Sequence, residues 1–248
     1  MAKPKQSQHL ASGESIFVEE LNLRAAGSHW PFAEQYRVAI DEHWSKSVAV
    51  NPHIFNGTIY PLLDHVIGDN WFRGDYGKSD FASYLYWREM GFGDPPTCDG
   101  FASVMLRSVD GRYLFAKAAE YTLNSGLWVP PGGMIDERDV DRDGSIDVWR
   151  YGLRELAEET ALAPQDVMIE PGYQVARDGA LIAYGLFCQS RPSEDEIFAR
   201  FQQHNNNLQN KPELDELRWF SVDEALSDES VPKFVKLLFD GWARKDGR

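Results

Sequence analysis

The most constraining feature of the sequence is the run Arg154-Glu155-Leu156-Ala157-Glu158-Glu159, set in a stretch of helical period from Ile146 to Leu162. At 100° per residue, Glu155, Glu158 and Glu159 are linked by i+3 and i+4 steps and share one face, with Arg154 at its edge. Ile146, Trp149, Leu153 and Leu156 share the opposite face. The spacing predicts an amphipathic helix with an apolar stripe turned inward and a carboxylate cluster turned outward. Pro164 marks where that helix must already have ended.

The carboxylate cluster works against its own helix. Like charges at these spacings repel by a few tenths of a kcal/mol per pair, roughly, and the macrodipole disfavours anions near a C-terminus. A solvated acidic face is the plain reading of such a turn. A divalent cation seated on the carboxylates explains the crowding, because hard cations such as Mg²⁺ take carboxylate oxygens and keep positions open for phosphates.

Ahead of the helix lies a second acidic segment. Asp139, Asp141, Asp143, Gly144, Ile146 and Asp147 fall at positions 1, 3, 5, 6, 8 and 9 of an EF-hand-type loop, while position 12, the bidentate Glu, is Arg150. An acidic surface loop with an Asp-Gly turn is the simpler expectation. A weak Ca²⁺ site at Asp139, Asp141 and Asp143, or a contribution of the loop to the neighbouring carboxylate cluster, is the alternative.

Lys plus Arg 25 against Asp plus Glu 39 gives a net charge of −14. That balance argues against nonspecific binding to nucleic acid or an anionic membrane, both of which need a basic patch. A polyanionic ligand would need bridging metal ions or a local group of arginines. Cys98 and Cys188 are far apart and form no zinc or Cys-x-x-Cys spacing, which suits core thiols in a reducing compartment. With no apolar segment behind the N-terminal lysines and no run long enough to span a bilayer, the expectation is a cytoplasmic protein, monomer or homodimer.

Along the chain, residues 1–14 are expected to be a disordered tail, 15–97 a small N-terminal α+β extension, and 98–248 the main domain. Ser15–Leu23 suggests a strand and Phe32–Val48 a helix. Asn56-Gly57 signals a turn between apolar runs. The aromatics at Phe81, Tyr84 and Trp87 suggest a helix over 71–90. From Phe101 the pattern becomes strand-rich, with hairpins turning at Asp110-Gly111 and Asp178-Gly179, then a helix near Asp195–Gln203, a polar loop over 204–216, a strand from Leu217 and a closing helix over Pro232–Arg244. Helices interleaved with hairpin-paired strands predict an α/β fold with a mixed sheet.

At Arg154, Glu155, Leu156, Glu158, Glu159 and Leu162 the chain resembles the Nudix hydrolase superfamily, whose box reads G-x5-E-x7-R-E-U-x-E-E-x-G-U. Gly133 matches the first Gly, and Pro130-Pro131-Gly132-Gly133 fits the usual lead-in. Gly133 to Arg154 is a step of 21 where the box has 14, so seven residues are inserted; Ile146 stands eight before Arg154 in place of Glu, and Ala161 stands in place of the last Gly. The resemblance implies an α/β/α sandwich and a Mg²⁺- or Mn²⁺-dependent pyrophosphohydrolase with Glu155, Glu158 and Glu159 as metal ligands. Arg154 would orient them, and Gly132 and Gly133 would let backbone curve around substrate. Glu155, Glu213, Asp215 and Glu216 are the candidate general bases, and Arg177 is a candidate phosphate contact.

The FNGT segment, the insertion after Pro-Pro-Gly-Gly and the hairpin around Arg177 are similar to the UDP-glucose pyrophosphatase branch in animals. This implies cleavage of a nucleotide sugar to a nucleoside monophosphate and a sugar phosphate. ADP-ribose, a dinucleoside polyphosphate or coenzyme A as substrate, or a catalytically silent binding module, are the alternatives. Phe55, Tyr60, Trp71 and Tyr84 are candidates to stack a base, against the commoner role of such aromatics as core.

Overall fold

The structure, a computed structural model, describes residues 8–208 and 212–245. Two sheets organise it. The larger runs Ser15–Val18, Tyr173–Asp178, Leu181–Ser190, Asp99–Arg107, Tyr113–Ala118, Leu214–Phe220, with Val167–Ile169 and Trp128–Val129 paired at its flanks. Leu181–Ser190 lies parallel to Asp99–Arg107, in register from Leu181↔Asp99 to Gln189↔Arg107, and the remaining ladders are antiparallel. The sheet is therefore mixed.

Alternation along the central strands sends neighbours to opposite layers. Ala102, Val104 and Leu106 join the cluster around helix Val148–Thr160, whereas Met105, Phe115 and Phe187 join the one around helix Lys233–Lys245. Phe187 stacks on Trp242 with ring centroids 3.9 Å apart. Helix on one face and helix on the other make this the expected α/β/α sandwich. Cys98 and Cys188 are free and buried.

The second sheet runs Thr58–Ile59, Trp71–Asp80, Glu20–His29, Ser145–Ile146, with Leu62–Ile67 on the other side of Trp71–Asp80. Its first three strands come from the N-terminal part, but Ser145–Ile146 comes from the insertion and pairs with Arg24 and Leu23. In return, Ser15–Val18 closes the edge of the large sheet against Tyr173–Ala176. The core around helix Val148–Thr160 accordingly includes Leu23, Leu62, Phe72 and Tyr76.

Several expectations are corrected. The helix expected over 71–90 is a strand, Trp71–Asp80, followed by a shorter helix, Phe81–Glu89. Asp80 accepts the Ser83 N–H at 2.8 Å and starts the helix there, so the aromatic spacing holds only beyond it. Asn56-Gly57 does not turn a hairpin; the Asn56 side chain accepts the Ala82 N–H and the Gly57 carbonyl accepts the Phe81 N–H, both at the start of that same helix. Of the expected tail, residues 1–7 lie outside the described residues. From Gln8 onward the chain is packed: Gln8 bridges Ile67, Leu10 is fully buried, and the Leu10 N–H donates to His65 Nε2. The polar loop expected over 204–216 begins later, after helix Glu194–Asn207, and ends at strand Leu214–Phe220; residues 209–211 lie outside the described residues. Among the described residues no helix is long and apolar enough to cross a membrane.

Candidate active site

Asp147 caps helix Val148–Thr160 by accepting the Arg150 N–H, and the helix ends on Ala161 at φ 60°, ψ 21°. Ala161 stands where the box pattern has Gly, and its left-handed conformation is the one glycine adopts without strain. The expected stripe is turned inward, with Leu156 and Ile146 buried and Trp149 and Leu153 packed against the same core, but the buried face is wider and also takes in Val148, Tyr151, Gly152 and Thr160. A Cβ on Gly152 would lie 2.4 Å from Leu186 Cδ1, so the glycine brings the helix close to the sheet. Ile146 lies before the helix, in the strand paired to Leu23.

This extra width corrects the outward-facing carboxylate cluster. Glu155 and Glu159 follow Tyr151 at four-residue steps and lie along the edge of the buried face. The Glu155 side chain is only 16% exposed, whereas that of Glu158, on the solvent side, is 46% exposed. Pro131 and Gly133 run beside strand Asp99–Arg107, their carbonyls accepting the Val104 and Ala102 N–H groups at 2.8 and 3.2 Å. Gly132, at φ 151°, donates its N–H to Glu159 Oε2 at 3.0 Å. A Cβ on Gly132 would stand 2.2 Å from the Ala102 carbonyl oxygen, and one on Gly133 would stand 3.1 Å from the Glu155 carboxyl carbon. The two glycines let backbone and carboxylates meet.

Withdrawal from water dominates the electrostatics. Burial pushes the Glu155 carboxyl up to about 7 against the pull of Arg154. Burial, then the charge of Glu155, holds Glu159 well above the usual carboxylate range. Two withdrawn carboxylates, Glu155 paired with Arg154 and Glu159 bonded to the Gly132 N–H, with the charge of Glu155 acting on Glu159, form a hard oxygen donor set. That chemistry fits a divalent cation. Glu158 is turned away, accepting from Arg154 Nη1 and Arg138 Nη1 at 2.9 Å each. Among the described residues no three His, Cys, Asp or Glu side chains converge on one point.

The loop from Gly133 into the helix is held by Arg154. Its guanidinium reaches both carboxylate oxygens of Asp139 at 2.8 and 2.9 Å, and it pairs with Glu155 at 2.8 Å. Asp139, 2% exposed, also accepts the Asp136 N–H. Counting forward from Gly133, Asp139 occupies the acid position of G-x5-E. Counting backward from Arg154 lands on Ile146, and so the sequence reading overlooked it. The insertion therefore follows the acid instead of displacing it.

The carboxylates of the acidic loop are engaged within the protein. Asp139 serves Arg154, Asp141 accepts from Arg150 Nη1 at 2.7 Å, and Asp143 accepts the N–H and hydroxyl of Ser145. Arg150, in place of the twelfth-position Glu, takes a carboxylate instead of supplying one.

The remaining candidates scatter. Glu213, exposed just before strand Leu214–Phe220, lies near enough to Glu159 for its charge to raise that carboxyl. Asp215 and Glu216 are exposed, Glu216 opposite Lys117. Arg177 donates to the carbonyls of Leu10 and Gly179, fastening the N-terminal segment. Tyr84 is buried and donates to Asp99 at 2.7 Å, Tyr60 is buried, Trp71 is half-buried, and Phe55 is 81% exposed.

A model of the NUDIX domain matches residues 98–239. The chain belongs to the Nudix family. Its class is that of a Nudix pyrophosphohydrolase acting on nucleotide derivatives. Similar solved structures include a binary complex of the C. elegans Ap4A hydrolase (17% identity, covering 60% of this chain and 99% of that one, TM-score 0.41). Others are the MutT protein of Methanosarcina mazei Go1 (18%, 60% and 95%, TM-score 0.40) and DR0079 of Deinococcus radiodurans (11%, 75% and 99%, TM-score 0.45). Comparison with curated proteins finds no match.

Proposed function

We propose that this Nudix enzyme hydrolyses the diphosphate of a nucleotide sugar such as UDP-glucose to a nucleoside monophosphate and a sugar phosphate, with Mg²⁺ or Mn²⁺. The withdrawn pair Glu155 and Glu159, packed against Gly132 and Gly133, carries the metal-dependent reading. Glu155, Glu158 and Glu159 are the ligands, Glu158 exchanging its exposed ion pairs for the cation. A divalent ion there supplies neutralising charge for phosphate oxygens and Lewis acidity for the attacking water. Arg154, fixed by Asp139, keeps Glu155 and Glu158 in place. Glu155 and Glu213, whose charges both act on Glu159, are the candidate bases favoured over Asp215 and Glu216.

The sugar-nucleotide choice rests on the resemblance of the FNGT segment, the insertion and the Arg177 hairpin. Lys78 of the N-terminal part reaches Glu137 in the loop after Gly133 at 2.7 Å, which supports residues 15–97 as a wall of the substrate site. ADP-ribose, a dinucleoside polyphosphate and coenzyme A are the competing substrates, and a silent binding module is the competing class. The test is phosphate release from UDP-glucose, ADP-ribose, diadenosine tetraphosphate and coenzyme A, with a coupling phosphatase and Mg²⁺ or Mn²⁺. Selective turnover of UDP-glucose is expected. Turnover of another member alone sinks the substrate assignment, and silence of the folded protein across the panel sinks the catalytic one.

A further inference from the structure

We propose that Arg138 meets the charge of the substrate's phosphates, exchanging Glu158 for a phosphate oxygen when a divalent cation takes Glu158. This rests on the metal-ligand reading above. With a net charge of −14, the chain needs local cations wherever a diphosphate is to dock. Arg154 and Arg138 both adjoin the carboxylates, but they are committed differently. Arg154 is 21% exposed and spends its donors on Asp139, Glu155 and Glu158.

Arg138 is 59% exposed and anchored at one edge only. Its Nε and Nη2 donate to Asp136 Oδ2 at 2.9 and 2.6 Å, and its backbone N–H donates to Asp136 Oδ1 at 2.7 Å. This leaves Nη1 on Glu158, also at 2.9 Å. The pair is solvent-exposed, and such pairs contribute little and exchange readily. A planar guanidinium with one edge braced presents the other to an anion, the geometry that suits a phosphate. Arg138 also lies near enough to Glu155 for its charge to act on that carboxyl. Arginine and cation thus draw on the same carboxylate, and removing the arginine should favour the cation and disfavour the diphosphate.

Mn²⁺ binding by calorimetry, with no nucleotide present, and the KM and kcat of the substrate identified by the panel are compared for the unaltered protein, Arg138→Ala and Arg138→Lys. Arg138→Ala is expected to bind Mn²⁺ several-fold more tightly and to raise KM about tenfold, with kcat changed far less; Arg138→Lys should fall between. Weaker Mn²⁺ binding by Arg138→Ala would make Arg138 a brace for the loop and overturn the proposal, as would an unchanged KM. If the unaltered protein binds no Mn²⁺, the metal-ligand reading falls and this inference with it. If it binds Mn²⁺ and the variant is indistinguishable from it, only the inference falls.

Discussion

Asp139 and Arg154 are fifteen residues apart and meet through both oxygens of a carboxylate that is 2% exposed. Neutralising Asp139 leaves Arg154 paired with Glu155 and Glu158 but weakens its buried charge-assisted hydrogen bonds, at a cost of about 2 kcal/mol. Asp139→Asn should therefore lower unfolding free energy in urea by roughly that amount and reduce kcat at least tenfold, as Arg154 loses its anchor. Stability equal to that of the unaltered protein would show that the pair does not hold the loop.

Gly132 and Gly133 should respond differently to alanine. At Gly132 both the φ of 151° and the Ala102 carbonyl oppose a Cβ, so Gly132→Ala should cost about 2 kcal/mol or more in stability. At Gly133 the new methyl meets the Glu155 carboxylate, not backbone, so Gly133→Ala should cut turnover about tenfold with stability changed by less than about 1 kcal/mol. Parallel urea titrations and steady-state assays separate the two.

His65 is 2% exposed, and burial, with the charge of Arg177, lowers its pKa from the ordinary value to about 4. Its Nε2 accepts the Leu10 N–H, which requires the neutral ring. The folded pKa lies below the unfolded value of about 6.5, so protons bind the unfolded chain first on acidification. The contribution is present above about pH 6.5 and is lost as pH falls toward about 4, on the order of 2 kcal/mol. Unfolding free energy measured from pH 7 to pH 4 should decline less steeply in His65→Gln; parallel curves would remove His65 as the cause.

Ala161 occupies the left-handed region at φ 60°. Ala161→Gly should stabilise the protein by about 1 kcal/mol, raising Tm by about 2–4 °C without lowering activity. A lower Tm in scanning calorimetry would contradict this.

The helix Val148–Thr160 was legible in the sequence because Arg154, Glu155, Glu158 and Glu159 repeat at helical spacing, and both hairpins of the large sheet were legible from their Asp-Gly turns. How far the buried face extends toward Glu155 and Glu159 was not, because Gly152 widens it by admitting Leu186, and a glycine adds nothing to an apolar stripe. Trp71–Asp80 was misread because its role as a strand depends on partners at Glu20–His29 and Leu62–Ile67, remote in the chain. Asp139 was visible in principle, six positions after Gly133. The fate of Asp141 and Asp143 was not, since it depends on how Arg150 and Ser145 are presented by the folded loop.

Strand Ser145–Ile146 has a consequence for how such a protein can change over generations. It covers the outer edge of Glu20–His29, and Asp147, the residue that starts helix Val148–Thr160, follows it directly. Trimming the box to ordinary length would strip the N-terminal sheet of that edging. Deleting the N-terminal sheet would leave Ile146 without its pairing partner Leu23 one residue from the helix cap. A change to the box or to the N-terminal part is therefore felt by the other through this pairing, and a chimera that grafts one without the other should yield insoluble protein.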